Sequence, residues 1–155
     1  MGVSWSAPDK IDGKMEFLAA LDIDGVTIAE LALRGVAWDA RPDNDVMLQL
    51  ETGIPGSRTR TPLIRLDWKP LSPLHRNLKG PPELSGLLIN GTHEHPFDAN
   101  WIEDMQRMRT GNLPIARKIT VPLQTFSDVL NYGKNLFRIS DIESIPVPPW
   151  SPKLL

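Results

Sequence analysis

The chain has only three histidines, His75, His93 and His95, and all of them fall within 21 of its 155 positions. His93 and His95 stand two apart. On a strand, side chains at i and i+2 share a face, so both rings would reach one ion. Neutral imidazole is the commonest side-chain ligand for metals of the zinc type. His75 completes a three-histidine set if its loop folds back. Three protein ligands with an open position make a hydrolytic site, in which the pKa of bound water falls to ~7. Asp98 or Glu94 offers an oxygen, although Glu94 on a regular strand points to the opposite side. The same histidines also suit metal-free chemistry as general base and general acid, with Arg76 or Lys79 holding a phosphate and stabilising developing negative charge. A structural reading stands beside these two. Asn90-Gly91-Thr92 is a turn signal, which would leave His93 and His95 in a loop, capping Asp98 or bonding backbone groups.

The candidate site therefore has His75, His93 and His95 as catalytic residues or as ligands of zinc or another divalent metal. Arg65, Arg76, Asn77 and Lys79 are its substrate-binding candidates. Local charge points the same way. Between residues 58 and 79 stand Arg58, Arg60, Arg65, Lys69, Arg76 and Lys79 against Asp67 alone, whereas residues 9–51 carry ten acids and four bases. A local positive field attracts phosphate and other anions. A solvated edge strand guarded by charge would show the same run.

The elements that must position these residues read mainly as strands. Met15, Phe17, Ala19 and Leu21 alternate with polar or small residues, the period of a half-buried strand. Asp24-Gly25 is a hairpin signal, and Val26 to Arg34 continues as the second strand. Gly35 would mark a bulge before Val36-Ala37-Trp38. Val46, Leu48 and Leu50 alternate again after the turn cluster at Arg41-Pro42-Asp43. Pro62 to Trp68 gives a fourth strand. Lys69 to Gly86 holds four prolines and reads as an irregular loop pinned by Leu74 and Leu78. Leu87-Leu88-Ile89 resumes a strand running towards His93. Asp98 is the expected N-cap of a helix from Ala99 to Arg109, with Trp101, Ile102, Met105 and Met108 as its apolar stripe. Ile115 to Val121 is a short strand. Thr125 to Phe137 is the strongest helix, opened by a capping box with Asp128 in place of Glu.

The sum is an α+β fold: a twisted antiparallel β-meander with one or two C-terminal helices packed on one face. Residues 1–14 read as a flexible leader, 15–144 as a single domain and 145–155 as a Pro-rich extended tail. A chain of this length is enough for a proper core without staples. There is no cysteine, which excludes thiolate catalysis, disulfides and Cys-ligated zinc. No apolar run approaches the ~18 residues of a membrane span. The expected setting is cytoplasmic, with no membrane partner. Phosphate-loop, dinucleotide-binding and nucleophile-elbow motifs are absent. Asp22-Ile23-Asp24-Gly25 lacks the rest of a calcium loop and reads as a hairpin turn.

Several of these residues together resemble a small uncharacterised bacterial and prophage family whose core reads R-L-D, then H-R-N-x-x-G, then H-x-H followed by an aromatic. The matching residues are Arg65-Leu66-Asp67, His75-Arg76-Asn77, Gly80, His93, His95 and Phe97, then Val121-Pro122-Leu123 and the helix from Thr125. The resemblance spans roughly residues 61–138. It departs at Leu78-Lys79, where the family has P-D, and in the helical segment after His95. It implies which residues matter and carries no activity.

Two functions are expected from these readings. One is hydrolysis of a phosphodiester, in RNA or another anionic substrate, by the histidine cluster. The other is a non-catalytic binding module, phage- or defence-related, recognising an anionic small molecule or a partner protein.

Overall fold

The computed structural model describes residues 1–152. Strands β1 (Lys14–Ile23), β2 (Val26–Trp38), β3 (Val46–Gly53) and β4 (Arg60–Trp68) form a meander. Two short strands, β7 (His93–His95) and β8 (Arg117–Lys118), extend it to a six-stranded antiparallel sheet in the order β1-β2-β3-β4-β7-β8. Two helices follow β7 in sequence, α1 (Phe97–Arg109) and α2 (Phe126–Phe137). The fold is thus α+β, with its helices in the C-terminal half. Among the described residues no helix is long and apolar enough to cross a membrane.

The two-residue period separates the sheet faces. Met15, Phe17, Leu33, Leu48, Leu66 and Trp68 point to one side and pack with Phe126, Val129, Leu130 and Phe137 of α2. Helix α2 lies there because its apolar residues recur at helical spacing. Its start is fixed by the expected capping box: the Thr125 hydroxyl accepts from the Asp128 amide, and the Asp128 carboxylate accepts from the Thr125 amide. Trp68 also spends its one donor on this side, giving its indole N–H to the Leu123 carbonyl at 2.8 Å.

Several local expectations are corrected. Gly35 is no bulge. It pairs in register with Phe17, and the Phe17 ring lies where a side chain on Gly35 would have to stand, 2.1 Å from an ideal Cβ. The irregularity falls instead opposite Leu21, between the pairs Ala20–Ala32 and Asp22–Thr27, where Glu30 adopts a φ of 73°. The proline-rich loop does hold regular structure: β5 (Leu74–Arg76) pairs with β6 (Leu88–Asn90) as a separate two-stranded ladder. Leu74 and Leu78 do not pin it, being 59% and 82% exposed; Asn77 and Leu84 are the buried residues. In α1 the capping position is Pro96 rather than Asp98, and the buried residues are Asn100 and Met108. Trp101 and Ile102 face outwards. The helix kinks at Asp104, whose carboxylate accepts from the Arg107 amide and restarts the helix as an N-cap would.

The segments before β1 and after residue 144 lie against the core, unlike a loose leader or a free tail. Trp5 meets Phe17 edge-to-face at 4.8 Å and donates its indole N–H to the Pro146 carbonyl. Trp150 packs at the core edge against Phe126, and the Ser151 hydroxyl donates to Asp39. Large aromatic area makes these contacts worthwhile for otherwise irregular backbone. Residues 153–155 of the expected tail lie outside the described residues.

Candidate metal centre

The chain leaves β6, turns at Gly91 with a φ of 86°, and enters β7 beside β4. Both alternatives for Asn90-Gly91-Thr92 are therefore half right: it is a turn, and a strand resumes after it. The register of β7 on β4 places His93 opposite Asp67 and His95 opposite Arg65. By strand alternation all four side chains then share the sheet face away from α2. Glu94 points the other way and meets α2. Its carboxylate accepts from Arg117 at 2.5 and 2.9 Å and from the Tyr132 hydroxyl at 2.6 Å. Burial and that hydrogen bond push the Tyr132 phenol well above its ordinary value.

The three polar atoms converge closely. His93 Nε2 and His95 Nε2 lie 3.1 Å apart. Asp67 Oδ2 lies 3.3 Å from the first and 3.4 Å from the second. Ligands held ~2.0–2.1 Å from one ion are separated by ~3.0–3.4 Å, depending on coordination geometry. Asp67, His93 and His95 form the one group of three or more such donors, among the described residues, whose ligand atoms all lie within 4.8 Å of one another.

Hydrogen bonding sets the imidazole of His93 for this role. Its Nδ1 lies 2.7 Å from the Gly91 carbonyl. A carbonyl only accepts, so Nδ1 carries the hydrogen. In the neutral ring the lone pair is then on Nε2, aimed at the cluster, as in metal sites where a carbonyl fixes the tautomer. The His95 ring is fully buried, and its Nδ1 has no partner among the described residues. Burial lowers its pKa to about 4, and the neighbouring Arg65 charge adds to this, while Asp67 opposes it. The ring is neutral at pH 7. Burial alone would push the Asp67 carboxyl up. The adjacent Arg65 guanidinium, whose Nε donates to Oδ2, helps outweigh it, and Asp67 is held far below the usual carboxylate range.

His75 does fold back. Its ring centroid lies 5.0 Å from that of His95 and 5.8 Å from that of His93. It stays outside the ligand triangle, and its Nε2–H donates to the Pro114 carbonyl at 2.9 Å. The neutral ring thus keeps its lone pair on Nδ1. Arg65 belongs to the cluster: Nε donates to Asp67 Oδ2 and Nη2 to His95 Nε2, both at 2.8 Å. Arg76 is exposed and reaches only the Gly86 carbonyl. Asn77 is buried and spends its amide on backbone, giving hydrogens to Leu84 and Ala116 carbonyls and accepting from the Ala116 amide. Asn100 of α1 treats Ile115 in the same way. Lys79 pairs with Asp104 at the α1 kink. Neither Asn77 nor Lys79 is left free for a ligand in this arrangement.

The residue that sequence reasoning passed over is Asp67. The sequence names it only as the lone acid among the bases of residues 58–79 and within the Arg65-Leu66-Asp67 string, not as a ligand. Its signal was the same i, i+2 alternation that marks the histidine pair, on a strand already expected. Compared with family models, curated proteins and solved structures, the chain matches none.

Proposed function

We propose that this protein is a metal-dependent hydrolase of bacterial origin acting on a phosphodiester, in RNA or another anionic substrate, in a cytoplasmic setting. Asp67, His93 and His95 hold the ion. One observation carries this reading: two imidazole nitrogens and a carboxylate oxygen meet at 3.1–3.4 Å, the separation that a shared ion imposes. Two neutral imidazoles and a carboxylate suit zinc, manganese or iron(II). A bound divalent ion supplies Lewis acidity and a water whose pKa falls to ~7.

The chain's own residues do the rest. The Gly91 carbonyl holds His93 in the tautomer that offers Nε2. His75, beside the triangle and anchored through Nε2–H, serves as the base or acid that moves a proton at Nδ1. Arg65 supplies positive charge for an anionic oxygen.

Tag-free protein purified without added metal, then analysed by plasma mass spectrometry, is expected to carry about one equivalent of a divalent transition metal. It is expected to cleave bis(p-nitrophenyl) phosphate or an RNA oligonucleotide, and to lose this activity with chelator and in His93→Gln. A protein that stays metal-free in excess zinc, manganese and iron(II) would sink the proposal. A second reading follows from Arg65, which already puts a positive charge against Asp67 and His95. In that case the cluster is complete without metal, and the protein is a binding module for an anionic ligand or a partner protein. It would then bind such a ligand through Arg65 with no metal and no turnover.

A further inference from the structure

Arg65 stands where the metal reading has least room for it. Its Nη2 donates to His95 Nε2 and its Nε to Asp67 Oδ2, each at 2.8 Å. These are two of the three atoms that would ligate the ion. At Asp67 the two roles are compatible, because a carboxylate oxygen has more than one lone pair. At His95 they are not. The outward nitrogen of a neutral imidazole has one lone pair, which an N–H or an ion can take, but not both. The ring cannot use its other nitrogen, because Nδ1 is buried on the far side with no partner among the described residues. Charge adds to the conflict, since a guanidinium never loses its proton in a protein and repels an approaching cation.

Resting on the metal reading, we propose that Arg65 is a placeholder cation: it fills the charge deficit of the Asp67–His93–His95 cluster before the ion arrives, leaves His95 when the ion binds, and then receives the anionic oxygen of the substrate at the mouth of the site. Departure is feasible because its side chain keeps 32% of its surface exposed, against 5% for His93 and none for His95. The displaced guanidinium remains tied to β4 beside the ion. Its cross-strand neighbour on the same face is Gln49 of β3. The Gln49 amide donates to Glu51, so its own carbonyl oxygen faces no competing demand from that bond and can accept from the relocated arginine.

The sign of one measurement tests this. Zinc or manganese affinity is measured by competition with a chromophoric chelator for the wild-type chain, Arg65→Ala, Arg65→Gln and Asp67→Asn. Circular dichroism and thermal melting verify folding. A placeholder predicts that Arg65→Ala binds metal more tightly, by roughly tenfold, the scale of changes next to a metal's ligands. The same variant should show a raised KM for bis(p-nitrophenyl) phosphate. Arg65→Gln, which keeps a donor without the charge, should fall between. If Arg65→Ala binds metal equally or more weakly while the wild type binds it, Arg65 merely orients Asp67 and this proposal alone fails. If no form binds metal, the metal reading fails and takes the placeholder with it.

Discussion

Two carboxylates, buried Glu51 and partly exposed Asp67, share the sheet face away from α2, and they are finished to different degrees. Glu51 is 2% exposed. It accepts from Arg34 through both oxygens, from Arg60 at 2.5 Å and from Gln49 at 2.9 Å. Burial alone would raise its pKa, but these donors lower it below the ordinary value. Every strong acceptor site there meets a donor. Asp67 stands on the neighbouring strand β4, opposite Met47, in a cluster that does not close. Three electron-pair donors face one another, one guanidinium serves two of them, and His95 Nδ1 has no partner among the described residues. A buried unpaired N–H costs ~1–3 kcal/mol. On the proposed metal reading, the facing lone pairs of Asp67, His93 and His95 are what the ion would satisfy.

That contrast gives four tests. The largest effect is expected at the closed centre. Glu51→Gln removes the charge between Arg34 and Arg60 and should cost about 3 kcal/mol in urea unfolding, at the low end for a buried pair because both arginines keep some surface in water. A loss under ~1 kcal/mol would show that the centre contributes little. Next, zinc or manganese at 100 times its dissociation constant should stabilise the wild type by about 2.7 kcal/mol through mass action. Asp67→Asn should abolish that gain. A metal response that survives Asp67→Asn would place the ion elsewhere.

The third test uses acid. The pKa of His95 in the folded chain is lowered to about 4, against ~6.5 when unfolded. Between these values the unfolded state binds more protons, so stability is full above pH 6.5 and falls as the pH drops towards 4. From pH 7 to pH 5 the loss from this group should be about 2 kcal/mol. Denaturant titrations of wild type and His95→Gln would reveal it as a difference in pH slope, and identical slopes would refute it. The smallest effect is on the opposite face. Tyr132→Phe leaves Glu94 with Arg117 alone and should cost about 1 kcal/mol, without altering metal binding. Altered metal affinity in that variant would mean the two faces are coupled.

Much of the frame was legible because its signals are local. Alternation located β1, β3 and β4, Asp24-Gly25 gave the first hairpin, and the Thr125–Asp128 pair fixed the start of α2. The i, i+2 spacing put His93 and His95 on one face, and their confinement with His75 to a short stretch anticipated the approach of the three rings. What escaped was non-local. Asp67 joins the histidines only because β7 pairs with β4 in a register that no short window contains. The stripe proposed for α1 failed for a related reason. Spacing says which residues share a helical face, but not whether anything covers that face, and Trp101 and Ile102 remain outside. Asn77, two residues from His75 in the H-R-N string, is expected to contact a ligand, yet its amide serves the backbone. Its partners, Leu84 and Ala116, lie 7 and 39 positions away.

The paired asparagines carry a consequence of their own. Asn77 and Asn100 grip adjacent peptide units, Ala116 and Ile115, each through both the N–H and the C=O. They read main chain and ignore side-chain identity, so residues 115 and 116 can drift in sequence, within the space left to them, without loosening the grip. The asparagines have no such latitude. Even aspartate, alike in shape, would turn a donor into a second acceptor and set it against a carbonyl, prising the β5–β6 ladder and its His75 away from the rest of the cluster.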